Sequence, residues 1–105
     1  MKRLLILGSA GLLGINWTIH TRHKYKVFTG FNKKKIQLEK TKEHHIEIRD
    51  IHSIYKALDL IKPDILVNCI GYTDVDLSAH NVFLANFLNS EVPKLLAKAC
   101  LKYKI

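Results

Sequence analysis

The stretch Arg3-Leu4-Leu5-Ile6-Leu7-Gly8-Ser9-Ala10-Gly11-Leu12-Leu13-Gly14 decides the fold of this chain. Its first five residues form a short, mostly apolar run that ends at a glycine, as expected of a strand buried on both faces. After the glycines, apolar residues keep helical spacing from position 12 to about position 22. The sequence therefore predicts a strand and a helix joined by a turn that contains three glycines.

The glycine turn has the spacing G-x-x-G-x-x-G, which suits the binding of a phosphate group. Residues without a side chain let the chain bend sharply, approach a pyrophosphate with its backbone and pack a helix close to a strand. The N-terminus of the helix adds free N–H groups and the positive end of the helix dipole. A tight turn without a ligand is the alternative interpretation, and the position between strand and helix favours nucleotide binding.

Strand and helix signals continue to alternate along the chain. Strands are predicted at residues 25–29, 45–49 and 65–70, and in the second of these segments Ile46 and Ile48 alternate with polar neighbours. The connections between the strands have lengths that suit parallel pairing. These strands therefore extend the sheet that begins at residue 3.

Two further helices are predicted. Asp50 is a good N-cap for the first, which closes at Lys62-Pro63 and whose apolar residues fall at i, i+3, i+4 and i+7: Ile54, Ala57, Leu58 and Ile61. The second covers residues 82–102, where Pro93 predicts a kink or a restart with Ser90 as the cap. The fold class is therefore α/β, a Rossmann-like doubly wound parallel sheet with helices on both faces, truncated after about four strands.

Composition limits the class of protein. A length of 105 residues with 48% hydrophobic content suits one compact domain or part of one. Cys69 and Cys100 lie in apolar segments and are predicted to be core residues, which suits a reducing compartment. The six histidines lack partners at ligand spacing, so no metal is expected. Without a secretory cleavage pattern or a bilayer-spanning segment, we expect a cytoplasmic protein with no membrane partner.

The chain is basic, with a net charge of +8. Such a charge favours polyanions or phosphorylated small molecules as partners. The densest cluster is Lys33-Lys34-Lys35, in a segment without clear periodicity, where a solvated loop is the ordinary interpretation. No aromatic residues alternate with these lysines, so binding of nucleic acid ranks last among the functions considered.

Two segments in the second half of the chain match a known pattern. The run Ile61-Lys62-Pro63-Asp64-Ile65-Leu66-Val67-Asn68-Cys69-Ile70-Gly71-Tyr72-Thr73-Asp74-Val75-Asp76, and Leu88-Asn89-Ser90 followed by Leu96-Ala97-Lys98-Ala99-Cys100, resemble two motifs of one family. These motifs are R-P-D-x-x-[IV]-N-x-A-A-Y-T-x-V-D and V-N-A … L-A-x-A-C of the dTDP-4-dehydrorhamnose reductases, in the extended short-chain dehydrogenase/reductase superfamily. With the glycine turn, the resemblance covers most of the chain.

The resemblance implies a cofactor site for NADP or NAD. Gly11, Leu12 and Leu13 of the glycine turn would contact the pyrophosphate. The cofactor-binding residues that the resemblance implies in this turn also include Gly8 and Gly14. Glu47 and Ile48 would replace the Asp-Leu or Asp-Ile pair that holds the adenine in the family. The longer side chain of Glu47 is a departure from that pattern, and a solvated strand residue is the alternative interpretation.

The implied site continues beyond the fourth strand. Gly71, Tyr72 and Thr73 would line the ribose and nicotinamide end of the cofactor, although Tyr72 alone is equally well explained as a packing aromatic. Asn89 would correspond to an asparagine that faces the active site in the family, or is simply a polar residue on a helix.

The end of the second strand bears on the choice between NAD and NADP. An acidic residue about 20 positions after the glycines would hydrogen-bond the ribose hydroxyls of NAD. Here Thr29-Gly30-Phe31-Asn32 precedes the three lysines, so a phosphate on the ribose would meet cations. We therefore expect NADP(H) in preference to NAD(H).

Catalytic residues are missing from the chain. Short-chain reductases use a Tyr-x-x-x-Lys pair with a serine or threonine, and none of Tyr25, Tyr55, Tyr72 or Tyr103 has a lysine four residues later. We expect residues 1–105 to be the N-terminal part of an NAD(P)-binding Rossmann domain, a truncated product without a complete substrate domain. A sugar nucleotide would then be a partner only when the C-terminal half is present.

Three functions remain open at this point. The first is the cofactor half of a sugar-nucleotide reductase in dTDP-rhamnose or polysaccharide biosynthesis, inactive alone. The second is a non-catalytic regulatory or binding module of the same superfamily, and the third is a basic nucleic-acid-binding fragment. The exposed edge of a truncated sheet also predicts self-association.

Overall fold

The apolar run near the start of the chain forms an inner strand of a parallel sheet. The computed structural model describes residues 1–32, 37–71 and 81–105. Its strands are β1 (Arg3–Leu7), β2 (Lys26–Phe31), β3 (Thr41–His45) and β4 (Ile65–Asn68). They pair in parallel in the order β3-β2-β1-β4. The prediction of a parallel Rossmann-like sheet is therefore confirmed.

Helices cover both faces of this sheet. They are α1 (Leu12–Thr21), α2 (Ile51–Ile61), α3 (Val82–Asn86), a π-helical turn (Phe87–Glu91) and α4 (Val92–Tyr103). The first connection leads from β1 through α1 to β2, while β4 pairs on the opposite side of β1. The strand order therefore reverses between β1 and β4, where open α/β sheets bind ligands at the carboxyl ends of their strands.

The core lies mainly between the sheet and α2 with α4. Its buried residues include Leu5 and Leu7 of β1, Ile54 and Leu58 of α2, and Leu96 of α4. A smaller cluster on the other face contains Leu4, Ile6 and Val27. Alternate residues of β1 thus serve opposite faces, as predicted for a strand buried on both sides.

Helix α2 forms as its sequence pattern predicts. The side chain of Asp50 accepts a hydrogen bond from the backbone N–H of His52 at 3.0 Å, and Lys62 ends the helix in the left-handed conformation. The guanidinium of Arg3 donates to the carbonyl oxygen of Ile61 at 2.7 Å. The backbone N–H of Arg3 donates to the Asp64 carboxylate, also at 2.7 Å. These bonds connect the end of α2 to the start of β1.

The predicted position of the third strand is wrong. β3 is Thr41–His45 and not 45–49, because the polar residues of β3 pair with β2 at the edge of the sheet. Ile46 and Ile48 are buried, but they lie on the loop that leads from β3 into the core. An edge strand that faces solvent does not need the apolar alternation on which the prediction depended.

Two other strands differ slightly from their predicted bounds. Strand β2 runs to Phe31, two residues beyond its predicted end, and β4 stops at Asn68, two residues before its predicted end.

The prediction that the helix restarts near Pro93 with Ser90 as its cap is wrong, because a π-helical turn absorbs the proline within a continuous helical segment. The chain remains helical through the π-helical turn, in which the N–H of Val92 donates to the carbonyl oxygen of Phe87. Pro93 then occupies the first turn of α4. A proline lacks an N–H and its ring crowds the carbonyl four residues earlier, so a widened turn before it relieves the clash.

Both cysteines are free and half-buried, so the prediction that they are core residues holds only in part. Burial raises the pKa of both the Cys69 and the Cys100 thiols.

Within the described ranges, no helix has the length and apolar character needed to cross a membrane. Those same ranges contain no group of three or more His, Cys, Asp or Glu side chains placed to hold a metal ion.

Candidate cofactor-binding site

The glycine turn lies at the carboxyl end of β1, beside the end of β4. The backbone N–H of Cys69 donates to the carbonyl oxygen of Leu7 at 2.9 Å, which extends the pairing of the two strands to the turn. Gly8 has a φ of 74°, a conformation that side-chain-bearing residues rarely adopt. A Cβ on Gly8 would lie 2.7 Å from the carbonyl carbon of Cys69. Gly8 therefore permits both the bend and the close packing of the turn on β4.

Gly14 has a second structural role, at the start of α1. A Cβ on this residue would collide with the carbonyl oxygen of Gly8. The residues of α1 that are buried are Gly14 and Thr18, and the Thr18 hydroxyl donates to the Gly14 carbonyl at 2.8 Å. Small residues on this face let the helix approach the sheet closely.

Gly11 differs from the other two glycines because the residues that the structure describes do not crowd it. Among them, a Cβ on Gly11 would meet one atom, the carbonyl oxygen of Gly8, at an ordinary 3.6 Å. Gly11 is the N-cap residue of α1 and has no side chain to cap the helix. Leu12 and Leu13, the next two residues, are 82% and 61% exposed. The N-terminus of α1 therefore lies beside exposed residues and has no side-chain cap, an arrangement that is typical of anion-binding helix ends.

The turn is also connected to the end of β2. Ser9 is buried, and its hydroxyl donates to the carbonyl oxygen of Gly30 at 3.4 Å. Phe31 is the last residue of β2, and Asn32 follows it. Lys33, Lys34 and Lys35, on which the expected preference for NADP(H) depends, lie outside the described residues.

The predicted adenine residues Glu47 and Ile48 lie just after β3 rather than within it. Ile48 is buried, and Glu47 is half-buried. The backbone N–H of Glu47 donates to the Ser53 hydroxyl at 3.0 Å, and one of its carboxylate oxygens accepts from the Arg49 N–H at 3.1 Å. This carboxylate therefore folds back on its own loop.

The remaining predicted residues follow β4. Gly71 is exposed, and the N–H of Ile70 donates to the Asn68 side chain at 3.0 Å in the short turn that precedes it. Tyr72 and Thr73 lie outside the described residues. The structure thus brings the glycine turn and the end of β4 together at the point where the strand order reverses.

The sequence reasoning missed a cleft at the same carboxyl edge. It has a volume of about 320 Å³ and is lined by Arg49, Phe83, Leu84 and Phe87. Arg49 belongs to the loop after β3, whereas the three apolar residues belong to α3 and the π-helical turn. These two segments are more than 30 positions apart in the chain, so the pattern around each segment could not show that they meet.

Comparisons with known proteins agree with this fold. A family model described as the RmlD substrate binding domain matches residues 1–105. The dTDP-4-dehydrorhamnose reductase of Streptomyces griseus is 29% identical over 98 residues, which cover 93% of this chain and 29% of that protein. The chain therefore spans about three tenths of the length of this relative.

Solved structures share the fold. A hypothetical dTDP-4-dehydrorhamnose reductase from Sulfolobus tokodaii superposes with a TM-score of 0.83 at 24% identity, over 97% of this chain and 36% of that one. The UDP-Glc/GlcNAc 4-epimerase of Campylobacter jejuni superposes with a TM-score of 0.89 at 18% identity, over 99% of this chain and 35% of that one. At these identities the likeness concerns the fold alone.

Proposed function

Since the chain belongs to the RmlD substrate binding domain family, we propose that residues 1–105 are the N-terminal, NAD(P)-binding part of a sugar-nucleotide reductase. Gly11 carries this proposal. It leaves open space at the uncapped start of α1, between two glycines whose absent side chains are required by packing. Since the packing of the described residues does not require a glycine at this position, its presence there supports the binding of a ligand.

The site residues are proposed accordingly. The turn binds the pyrophosphate through backbone N–H groups at Gly11, Leu12 and Leu13, with Gly8 and Gly14 shaping it. Gly71, Tyr72 and Thr73 line the ribose and nicotinamide end. A dinucleotide held in this way would supply a hydride, while these residues bind and orient it.

NADP(H) is the proposed cofactor in preference to NAD(H). Supporting this, β2 ends at Phe31 and is followed by Asn32, so its end provides no carboxylate for the ribose hydroxyls of NAD. The chain as a whole carries a net charge of +8, which favours the ligand with the additional phosphate.

Substitution Gly11→Val is expected to abolish measurable binding of NADPH and NADH. The valine side chain would fill the space of the pyrophosphate, while its Cβ contacts the protein at an ordinary distance. Isothermal titration calorimetry of the unsubstituted chain and the variant measures this effect, and their urea unfolding midpoints serve as the control. Unchanged affinity in a folded variant would show that the pyrophosphate lies elsewhere.

The outer edge of β4 is proposed to mediate self-association. The other edge strand, β3, has the polar sequence Thr-Lys-Glu-His-His, which protects it against pairing. β4 has the mostly apolar sequence Ile-Leu-Val-Asn. Among the described strands it pairs with β1 alone, and its first residue, Ile65, is 37% exposed. An apolar open edge of this kind favours pairing with another strand.

Sedimentation velocity at micromolar concentration is expected to show dimers or larger species of the unsubstituted chain. Ile65→Lys should shift the distribution toward monomer because a charged residue opposes edge pairing. Lys42→Ala on β3 is the matched control and should leave the distribution unchanged. A monomeric, cooperatively unfolding unsubstituted chain would contradict the proposal and indicate a small domain that needs no partner at β4.

A further inference from the structure

The edge strand β3 and helix α2 form a cleft that is rich in hydrogen-bond donors. Its volume is about 250 Å³. α2 contributes four residues at positions i, i+3, i+4 and i+7, which lie on one stripe of the helix, and β3 contributes its last two residues. The lining residues are Ser53, Lys56, Ala57, Leu60, His44 and His45. We call this cleft the basic pocket.

The Ser53 hydroxyl has a proton to offer in the basic pocket. Its oxygen accepts the backbone N–H of Glu47 at 3.0 Å, and this bond fixes the position of the side chain. The bond uses a lone pair of the oxygen and leaves the O–H group as a donor. Because Ser53 is half-buried, a hydrogen bond from this donor to a ligand is stronger than one formed in open water.

Aromatic contacts fix the two imidazole rings of the basic pocket. The centroid of the His44 ring lies 5.7 Å from that of Phe28, and the His45 ring meets Phe31 edge-on at 5.5 Å. An imidazole donates one N–H when it is neutral and two when it is protonated. Both rings can therefore donate to an anion in either form, together with the ammonium group of Lys56.

The carboxylates that lie near the basic pocket in the chain are bonded to backbone groups. Glu47 accepts the N–H of Arg49 at 3.1 Å. Asp50 accepts the N–H of His52 at 3.0 Å. Among the described residues that line the pocket, none is an Asp or a Glu. Since the chain also carries a net charge of +8, an anion is attracted to the molecule and meets no carboxylate of that lining.

Apolar surface adjoins the donors of the basic pocket. Ala57 is buried, and Leu60 is 68% exposed although it is a large apolar residue. Inorganic phosphate has no group that gains from contact with such a surface. An organic group bonded to a phosphate does gain, because the contact removes apolar area from water. The composition of the pocket therefore favours a phosphate ester.

We propose that the basic pocket binds a phosphomonoester, whose phosphate accepts from Lys56, Ser53 and the imidazoles while its organic group lies on Leu60. Phosphate oxygens accept several charge-assisted hydrogen bonds, which suits donors supplied by two elements. The pocket is distinct from the glycine turn, because the turn follows β1 and strand β2 separates β1 from β3. The inference goes beyond the proposed cofactor function and does not depend on it.

Calorimetry with phenyl phosphate and inorganic phosphate, on the 105-residue chain and its variants, tests the inference. Lys56→Ala removes the ammonium group of the pocket, and Leu60→Ala shortens its apolar wall. Lys98→Ala is the matched control, because it removes the same charge from an exposed position on α4. The imidazole proton NMR signals report where the ligand binds, with His20 on α1 as the reference outside the pocket. Urea unfolding of each variant shows that it is folded.

Lys56→Ala is expected to weaken the binding of phenyl phosphate about tenfold, since a charge-assisted hydrogen bond is lost. Lys98→Ala should leave the affinity unchanged. Leu60→Ala should weaken phenyl phosphate about threefold and leave inorganic phosphate unaffected, because only the ester has an apolar group. The signals of His44 and His45 should shift during the titration, and that of His20 should not.

The variant Gly11→Val separates the basic pocket from the cofactor site. It should bind phenyl phosphate as the unsubstituted chain does. If it loses phenyl phosphate instead, the phosphate lies at the glycine turn, and the inference is wrong while the cofactor function is supported. If the unsubstituted chain binds phenyl phosphate in the basic pocket but does not bind NADPH, the inference stands and the proposed cofactor function fails.

Other results would also overturn the inference. A folded chain that binds no phenyl phosphate has no such site. Equal weakening by Lys56→Ala and Lys98→Ala, or an equal shift of the His20 signal, would show attraction by overall charge without a defined pocket. If Leu60→Ala changes the affinity for neither ligand, the organic group makes no contact there and the assignment of a phosphomonoester is wrong.

Discussion

Gly14→Ala is expected to destabilise the fold by about 2 kcal/mol and to lower its urea unfolding midpoint accordingly. The added Cβ would collide with the Gly8 carbonyl oxygen, which belongs to a turn already packed against β4. Helix propensity predicts the reverse, because alanine in place of a helical glycine gains about 1 kcal/mol. A lower unfolding free energy of Gly14→Ala would therefore show that packing dominates, and a higher one that helix propensity dominates.

Gly11→Ala is the matched control for this experiment. The same methyl group is added three residues earlier, where it meets one oxygen at a permitted distance. This variant should change the unfolding free energy by no more than about 1 kcal/mol, since that is the typical difference in helix stability between glycine and alanine at an N-cap. Equal destabilisation by the two variants, or a more stable Gly14→Ala, would show that the turn packs differently.

The second large effect concerns catalysis. With NADPH and dTDP-4-dehydrorhamnose, the 105-residue chain is expected to oxidise cofactor at the background rate. Reduction of a ketone needs a proton donor within hydrogen-bond reach of the developing alkoxide, as well as a positioned nicotinamide. The chain contains no Tyr-x-x-x-Lys pair. Absorbance at the NADPH band, with and without the sugar nucleotide, measures the rate.

Two of the described tyrosines, Tyr55 and Tyr103, support this expectation. Tyr55 and Tyr103 pack together with their ring centroids 5.7 Å apart, where α2 meets α4. Burial, and then a hydrogen bond to the Asp59 carboxylate and its negative charge, raise the pKa of Tyr103. A catalytic tyrosine of a reductase requires a lowered pKa. These two side chains therefore connect helices.

Adding the C-terminal part of a related reductase is the positive arm of the catalytic experiment. If that part supplies the catalytic pair and pairs with the open edge of β4, some turnover should return, and Ile65→Lys should reduce it. NADPH consumption by the 105-residue chain alone, dependent on sugar nucleotide and lost in Tyr72→Phe, would contradict the prediction and identify Tyr72 as an acid. Absence of turnover together with cofactor binding in all mixtures would favour the non-catalytic regulatory module.

The sequence by itself determined the fold class and the position of the glycine turn between β1 and α1. Local signals were sufficient because β1 and α2 are buried elements with complete apolar patterns, at residues 4–7 and at Ile54, Ala57, Leu58 and Ile61. The family pattern added Glu47 and Ile48 as adenine residues, and this role is still a prediction.

Only the tertiary structure decided where the third strand lies and what each glycine does. Thr41–His45 pairs with β2 at the edge of the sheet through its backbone. Its side chains therefore do not need the alternation of apolar and polar residues by which a strand is predicted from sequence. Gly8, Gly11 and Gly14 look equivalent in the sequence. In the structure, Gly8 packs against the residues that follow β4, whereas the described residues leave Gly11 uncrowded. The cleft beside Arg49 likewise exists only because α3 and the π-helical turn fold against the loop after β3. Contacts between distant segments depend on topology, and local periodicity contains no information about them.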